Sequence, residues 1–206
     1  MPPAPYHAHC NDATLAILAG GAGSRMGQPK GLLTLAGKPI LDYLLDHLAW
    51  PGPTMLITAP DREHPPGWQR FSREVSDPIP GGGPLRGVLT ALEHLQTPLL
   101  IVLTIDMPGV RLPHGMWLLH KLRNDPTAMG MMLRRNVQDH SQIEPFPCVL
   151  RLDARAIVAR RLMEGKRSVH GLLDEPGFLA IDSPGDWPAD VWTNLNVPQD
   201  LRDFSP

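Results

Sequence analysis

The residues best suited to chemistry lie in one stretch, LAGGAGSRMGQPKG, which runs from residue 18 to residue 31 and holds five glycines, Arg25 and Lys30. Glycines allow backbone N–H groups to turn towards an anion, and a guanidinium and an ammonium add charge-assisted hydrogen bonds. Lysine is rare in this chain and occurs only at positions 30, 38, 121 and 166. The stretch therefore predicts a phosphate-binding loop rather than a merely flexible turn.

The spacing of the glycines indicates which class of phosphate-binding loop this stretch can form. A P-loop places lysine directly after its last glycine and then Ser or Thr, whereas Gln-Pro-Lys-Gly follows Gly27 here, so a P-loop is excluded. Gly21, Gly23 and Gly27 match the dinucleotide fingerprint G-x-G-x-x-G only with one residue too many. An oxidoreductase with an irregular dinucleotide loop stays an alternative.

Three polar residues elsewhere are candidate ligands. Asp106 follows the most continuous apolar run, LLIVLTI at 99–105, and a carboxylate opposite a phosphate loop suits Mg²⁺, although it also suits a turn or helix cap. The amide oxygen of Asn196 can complete a Mg²⁺ shell, whereas asparagines before a helix are more often caps. Asp77, between Ser76 and Pro84, is either a nucleotide contact or a turn residue.

Alternating strands and helices must position these residues. The pattern predicts strands at 13–19, 54–59 and 99–105 and helices at 40–48 and 85–95, the second entered through Gly81-Gly82-Gly83-Pro84. Such alternation is typical of βαβ units and favours an α/β chain, a single-domain Rossmann-like three-layer αβα sandwich with a mostly parallel sheet. Ligands of such sheets bind beyond the carboxyl ends of the strands, where both the glycine loop and Asp106 fall.

The domain organisation follows from the same pattern. Residues 1–12 show no periodicity and are predicted to be a disordered tail, and residues 13–206 form one domain. Within it, 13–110 is the predicted nucleotide-binding half and 111–206 the predicted acceptor-binding half. For the second half we predict strands at 128–133, 147–150, 177–181 and 191–194, and a helix at 153–163 capped by Asp153.

Composition excludes several function classes. The chain has 206 residues, 42% apolar residues and a net charge of −2, so no general attraction to nucleic acid or to anionic membranes is expected. Two cysteines, and no apolar run long enough to span a bilayer, predict a reduced, cytoplasmic protein. The pairs Arg134-Arg135 and Lys166-Arg167 are either solvated surface or contacts for a second anionic substrate.

The motif LAGGAGSRMGQPKGLL resembles that of the nucleotidyltransferases, which transfer NMP from an NTP to a phosphate, and within them the molybdenum cofactor guanylyltransferases. The resemblance covers nearly the whole chain apart from the tail. It continues through the motifs Gly-Pro-Leu-Arg-Gly at 83–87, Asp-Met-Pro at 106–108, Gly-Lys-Arg-Ser-Val at 165–169 and Asn-Leu-Asn-Val-Pro-Gln-Asp at 194–200.

The resemblance implies a nucleotide-diphospho-sugar transferase-like fold and assigns roles to particular residues. Lys30 would bind the phosphates, Asp77 the nucleoside, and Asp106 both the nucleotide and Mg²⁺. We predict Lys30, Arg25 and Asp106 as catalytic residues and Asp106 and Asn196 as metal ligands. The predicted nucleotide-binding set is Leu18, Ala19, Gly20, Gly21, Gly23, Arg25, Lys30, Asp77, Gly83, Pro84 and Asp106.

The implied reaction is transfer of GMP from GTP to the terminal phosphate of molybdopterin, with or without molybdenum, with release of pyrophosphate. The two residues between Gly27 and Lys30 are equally typical of cytidylyltransferases for molybdopterin, whereas Gly20-Gly21 favours GTP. CTP:molybdopterin cytidylyl transfer therefore stays open, as does transfer to a sugar phosphate or a small phosphorylated acid. A nucleotide-binding module without turnover is a further alternative. The family alone also implies contact with cofactor-insertion proteins or receiving molybdoenzymes.

Overall fold

The computed structural model describes residues 10–20, 26–60, 62–137 and 140–204. Its strands are β1 (Ala13–Leu18), β2 (Thr34–Leu35), β3 (Lys38–Pro39), β4 (Thr54–Thr58), β5 (Arg73–Ser76), β6 (Leu99–Thr104), β7 (Gly130–Val137), β8 (His140–Arg151) and β9 (Phe178–Asp182). Its α-helices are α1 (Ile40–Leu48), α2 (Pro84–Glu93), α3 (Leu112–Asn124), α4 (Ala154–Met163) and α5 (Pro198–Asp203). Short 3-10 helices lie at Lys30–Leu32, Trp68–Arg70, His170–Asp174 and Ala189–Trp192.

Seven strands form one sheet in the order β5-β4-β1-β6-β8-β7-β9, and β2 and β3 form a separate hairpin. Four of the six pairings in the large sheet are parallel, and only β8 runs antiparallel to its neighbours β6 and β7. The inner strands β1, β4 and β6 are almost wholly apolar and buried, as strands covered on both faces require. The predicted α/β fold with a mostly parallel sheet is confirmed.

Helices cover both faces of the sheet. A side chain at Gly87 of α2 would touch Leu18, and one at Gly115 of α3 would touch Ile101. Leu15 pairs with Ile101 and therefore shares its face, while Leu18, three residues later, points to the opposite face. Helices α2 and α3 consequently lie on opposite faces, and α4 packs beside α2, which gives three layers.

The chain reverses its direction of travel across the sheet between β1 and β6. From β1 it proceeds to β4 and β5 on one side, and then returns through α2 to β6 on the other side of β1. Ligands of open α/β sheets bind in the crevice that such a reversal leaves outside the carboxyl ends of the strands. The crevice here lies between the segments that follow Leu18 and Thr104.

The first half matches its predicted elements. Strands β1, β4 and β6 and helices α1 and α2 fall within two residues of the expected bounds. Helix α1 follows Pro39, whose fixed φ suits a helix start, and its apolar positions at helical spacing are buried. Pro84 occupies the first turn of α2 directly after Gly83. The pattern did not indicate β5 or the β2–β3 hairpin.

Some of the secondary structure predicted for residues 111–206 differs from the structure. The predicted strand at 191–194 is wrong, because Ala189–Trp192 is a 3-10 helix and Thr193 continues in extended backbone outside the sheet. Helix α3 was not predicted at all. Helix α4 begins after Asp153 as expected, but the side chain of Asp153 makes no capping hydrogen bond.

The folded domain begins before Ala13. Cys10 is buried, Asp12 pairs with Arg123 of α3 at 2.6 Å, and the backbone carbonyl of Asp12 accepts a hydrogen bond from Leu99. The prediction of a tail is therefore wrong for residues 10–12, and residues 1–9 lie outside the described residues. Among the described helices, none has the length and apolar character needed to cross a membrane.

Candidate active site

A cleft of about 480 Å³ opens at the carboxyl ends of β1, β4 and β6, in the crevice described above. The loop after β5 and the first turn of α2 form its other wall. Seven of the predicted nucleotide-binding residues line it: Leu18, Gly20, Lys30, Asp77, Gly83, Pro84 and Asp106. The structure thus brings into one cleft residues that lie up to 88 positions apart in the chain.

Lys30 lies at the centre of the polar groups. Its ammonium donates hydrogen bonds to Oδ2 of Asp106, in a salt bridge, and to Oδ1 of Asn196 at 2.9 Å. The side chains of Lys30 and Asp106 are only 13% and 14% exposed, so their charges are largely shielded from water and interact strongly. This arrangement joins the three predicted catalytic or metal-binding residues that the structure describes.

The backbone of residues 194–200 carries Asn196 to this point. The N–H of Leu195 donates to the backbone carbonyl of Asp106 at 2.9 Å, which fixes the segment against the end of β6. Oδ2 of Asp200 accepts the N–H groups of Asn196 and Val197 at 2.6 and 2.8 Å, capping α5. These hydrogen bonds lower the pKa of Asp200, so its carboxylate is ionised at neutral pH.

The second carboxylate oxygen of Asp106, Oδ1, is buried and has no hydrogen-bond partner among the described residues. An unsatisfied buried carboxylate oxygen is costly unless a ligand completes it. A hard divalent cation such as Mg²⁺ prefers such oxygens and keeps few protein ligands when substrate phosphates supply the rest. The donor set therefore fits a metal at Asp106, whereas the amide oxygen of Asn196 is engaged by Lys30.

Asp77 lies at the opposite wall of the cleft. Its backbone N–H donates to the carbonyl of Thr58, which extends the parallel pairing of β4 and β5 by one residue. Burial raises the pKa of the Asp77 carboxyl, and a hydrogen bond from Thr90 and the charge of Arg86 offset part of that rise. Its Oδ1 is buried without a partner, so a ligand donor in the cleft has an acceptor available.

The loop before α2 brings backbone rather than side chains to the cleft. Gly81, Gly82 and Gly83 all line it, and Gly83 adopts φ 76° and ψ 179°, a conformation almost confined to glycine. Pro84 then begins α2, whose N-terminus carries the positive end of the helix dipole. The cleft is thus bordered by backbone N–H groups and a positive helix end, both suited to an anion.

The structure does not bring every predicted residue to the cleft. Ala19 is buried and borders a neighbouring hollow of about 410 Å³ instead. The predicted residues Gly21, Gly23 and Arg25 lie outside the described residues. Their roles stay predictions.

Several lining residues were missed, notably Arg62, Ile79 and Thr104. Thr104 ends the strand that leads to Asp106, so its position at a carboxyl end was a usable signal. Arg62 and Ile79 lie in irregular segments on either side of β5, and no local pattern marks them.

Comparisons with known proteins give these observations a context. The sequence model of the family described as the MobA-like NTP transferase domain matches residues 15–175. A molybdenum cofactor guanylyltransferase of Vibrio cholerae is 39% identical over 94% of this chain and 92% of its own length. One of Albidiferax ferrireducens is 31% identical over 93% and 94%.

A solved structure adds the fold. Molybdopterin-guanine dinucleotide biosynthesis protein A from Archaeoglobus fulgidus superposes with a TM-score of 0.74 and 22% identity, over 92% of this chain and 95% of that one. At this identity the likeness supports the architecture, which has helices on both faces of a mostly parallel sheet.

Proposed function

The chain belongs to the MobA-like NTP transferase family, and we propose that it transfers GMP from GTP to the terminal phosphate of molybdopterin, with or without molybdenum. The products are the guanine dinucleotide form of the cofactor and pyrophosphate. The observation that carries the proposal is the meeting of Lys30, Asp106 and Asn196 at the rim of a cleft lined by glycine backbone. The relatives are named molybdenum cofactor guanylyltransferases, and from these names we infer GTP as the nucleotide and molybdopterin as the acceptor.

In this reaction the acceptor phosphate forms a new bond to the α-phosphorus, and the bond from that phosphorus to the β-phosphate oxygen breaks. A phosphate monoester has a second pKa near 6, so the attacking oxygen is largely ionised at neutral pH and a general base is not required. Catalysis then rests on positioning and charge neutralisation. Lys30 would hold phosphate oxygens as negative charge builds on the leaving pyrophosphate.

Asp106 would hold Mg²⁺ through its carboxylate, with Asn196 beside it. When bound, the cation would neutralise negative charge on the nucleotide phosphates. Lys30 pairs with Asp106, so its ammonium would meet the phosphates of a nucleotide bound beside this carboxylate. Asp77, Leu18 and Gly20 line the same cleft, and we assign their part of it to the nucleoside.

We assign the protein to the cytoplasm, where GTP and the reduced pterin are available. Cofactor-insertion proteins or receiving molybdoenzymes would take the product. Neither nucleic acid nor a membrane is a partner in this proposal.

The test is pyrophosphate release by the full chain with Mg²⁺ and molybdopterin, comparing GTP, CTP, ATP and UTP. We expect GTP to dominate. Release dominated by CTP would keep the chemistry and move the protein to cytidylyl transfer. Release with none of the four nucleotides, from protein shown to be folded by circular dichroism, would overturn the proposal. In the same assay Lys30→Gln should lose most pyrophosphate release. Lys38→Gln is its matched control and should keep it, because Lys38 pairs with Asp46 on an exposed surface away from the cleft.

A further inference from the structure

The two arginines at the end of β7 point to opposite faces of the sheet. Arg134 is directly opposite Asp182 of β9 and pairs with it at 3.2 Å, where both side chains are well exposed. Arg135, one residue later, faces the other way, as alternation along a strand requires. Leu133 is directly opposite Glu144, so Arg135 and Glu144 are diagonal neighbours on one face.

The guanidinium of Arg135 is fixed by two partners. Its Nε donates to Oε1 of Glu144 at 2.6 Å, and its central carbon lies 5.3 Å from the centroid of the Trp192 ring. Glu144 is 9% exposed, so its charge depends on this partner. Trp192 in turn stacks on Trp187, at 5.7 Å between ring centroids, and Trp187 meets Trp117 of α3 edge-on. Such an aromatic ladder leaves the arginine little freedom.

These contacts occupy one edge and one face of the guanidinium. The two terminal nitrogens of Arg135 have no hydrogen-bond partner among the described residues, and the side chain is 25% exposed. A planar guanidinium whose outer edge is available suits the oxygens of a phosphate or another anion. The mechanism described above makes no use of this group.

Arg135 and Trp192 lie on the acceptor side of the reacting centre. Val149 pairs with Ile101 of β6 on one side and with Met131 of β7 on the other. Leu133 and its partner Glu144 come two residues later along β7, so they lie about level with Leu103, near the carboxyl end of β6 that leads to Asp106. Trp192 begins the segment whose Leu195 contacts the backbone of Asp106 and whose Asn196 contacts Lys30. At no more than about 3.6 Å a residue, the Cα atoms of Trp192 and Asn196 are no more than about 14 Å apart.

The nucleotide cleft lies on the other side of Asp106, over β1 and β4. We propose that the outer edge of Arg135 binds an anionic group of the phosphorylated acceptor, and that Glu144 and Trp192 are positioning residues that hold this edge. The inference rests on the proposed function, because it assigns a binding group to the second substrate of that same reaction. The inference distinguishes Arg135 from Arg134, because only Arg135 is held by Glu144 and Trp192.

The test measures KM for molybdopterin, KM for GTP and kcat separately. Arg135→Lys keeps the charge and loses the fork, and we expect the acceptor KM to rise about tenfold or more, with the GTP KM and kcat little changed. Glu144→Gln is expected to raise the acceptor KM by a smaller factor, again without changing the GTP KM. Arg134→Lys is the matched control and should leave all three constants unchanged.

A second variant tests whether a folding defect, rather than the loss of the guanidinium, explains a raised acceptor KM. Arg135→Ala alone would leave Glu144 buried and unpaired, so the double variant Arg135→Ala/Glu144→Gln removes both charges together. It should retain wild-type thermal unfolding and still show the raised acceptor KM. A wild-type acceptor KM in this double variant and in Arg135→Lys would overturn the inference while the proposed function stands.

A direct binding measurement distinguishes failure of the proposed function from failure of the inference about Arg135. Molybdopterin is titrated into wild type and Arg135→Lys, and its dissociation constant is measured without nucleotide. If no nucleotide supports pyrophosphate release but molybdopterin binding still depends on Arg135, the proposed function falls and the inference stands. If wild type does not bind molybdopterin at all, both are overturned.

Discussion

The two halves of the domain present their polar groups in different ways. Residues 13–110 offer them from loops that directly follow parallel strands, so that Asp77 comes after β5 and Asp106 after β6. Residues 111–206 offer theirs from within an antiparallel hairpin, from a 3-10 helix and from the extended segment that carries Asn196. The proposed nucleotide half thus relies on strand ends and glycine backbone, and the proposed acceptor half on side chains held by other side chains.

The reacting centre combines polar groups from both halves, and its loss has the largest expected effect. Lys30→Ala and Asp106→Ala should each lower kcat about a hundredfold to a thousandfold, because each removes a charged contact to the transition state. Since the two side chains pair, they act as a unit, and the double variant should be little worse than the stronger single variant. Steady-state pyrophosphate release checks this.

Circular dichroism and thermal unfolding supply the control for these variants, and the folded structure should survive in each. Lys38→Ala, which removes an exposed lysine from a surface salt bridge, should retain full turnover. Near-normal turnover in Lys30→Ala or Asp106→Ala would show that the centre has been assigned wrongly.

The dependence of the acceptor half on paired charges predicts the next largest effect, on stability. Arg161 of α4 is 5% exposed and its Nη1 donates to Glu175 at 2.8 Å. Glu175→Ala would leave this arginine buried without its main partner, at a cost of about 3 kcal/mol in the free energy of unfolding. Urea denaturation checks the value, and kcat per folded molecule should not change.

An exposed pair in the same half is the control for Glu175. Asp182 is 75% exposed and pairs with Arg134, so Asp182→Ala should cost less than about 1 kcal/mol. Equal losses in the two variants would contradict the distinction between a buried and an exposed ion pair.

The predictability of the halves also differs, for a physical reason. Strands β1, β4 and β6 and helices α1 and α2 follow from local periodicity and from the glycines and prolines beside them. The antiparallel insertion of β8 between β6 and β7 does not, because an apolar run carries no information about its partners' direction. Asn196 reaches Lys30 across 166 positions, which depends on topology rather than on local pattern.

The site divides in the same way. Asp106 and Lys30 could be predicted because each follows a motif with a chemical reason at a strand end. The sequence marks Arg135 only as one of a basic pair, and what distinguishes it from Arg134 is strand register and its contacts with Trp192 and Glu144. A 3-10 helix positions Trp192, where the apolar pattern had predicted a strand.

Backbone strain in the nucleotide half predicts a moderate effect. Gly83→Ala would force a side chain into a backbone conformation that costs about 1–3 kcal/mol, and the loop that borders the cleft should shift. We expect a lower Tm and a GTP KM raised several-fold. Gly185 in the acceptor half has no neighbour within 4 Å of an added Cβ and no left-handed backbone, so Gly185→Ala should change neither quantity.

Two carboxylates that flank the site predict the smallest effect, with opposite signs in the two halves. Burial raises the pKa of Asp77, so its ionised form costs stability above that pKa, and the cost disappears as the pH falls below the ordinary value of 3.8. Asp77→Asn should therefore raise Tm slightly at neutral pH, by no more than about 3 °C, while weakening nucleotide binding.

The pKa of Asp200 is lowered by backbone hydrogen bonds, so its contribution to stability is present above the ordinary pKa and is lost as the pH falls through the lowered pKa. Asp200→Ala should thus lower Tm at neutral pH, with a difference from wild type that shrinks in acid. Thermal unfolding from pH 7 downwards measures the Tm difference of each variant from wild type. Differences of the same sign in Asp77→Asn and Asp200→Ala would contradict the prediction that the first carboxylate costs stability and the second contributes to it.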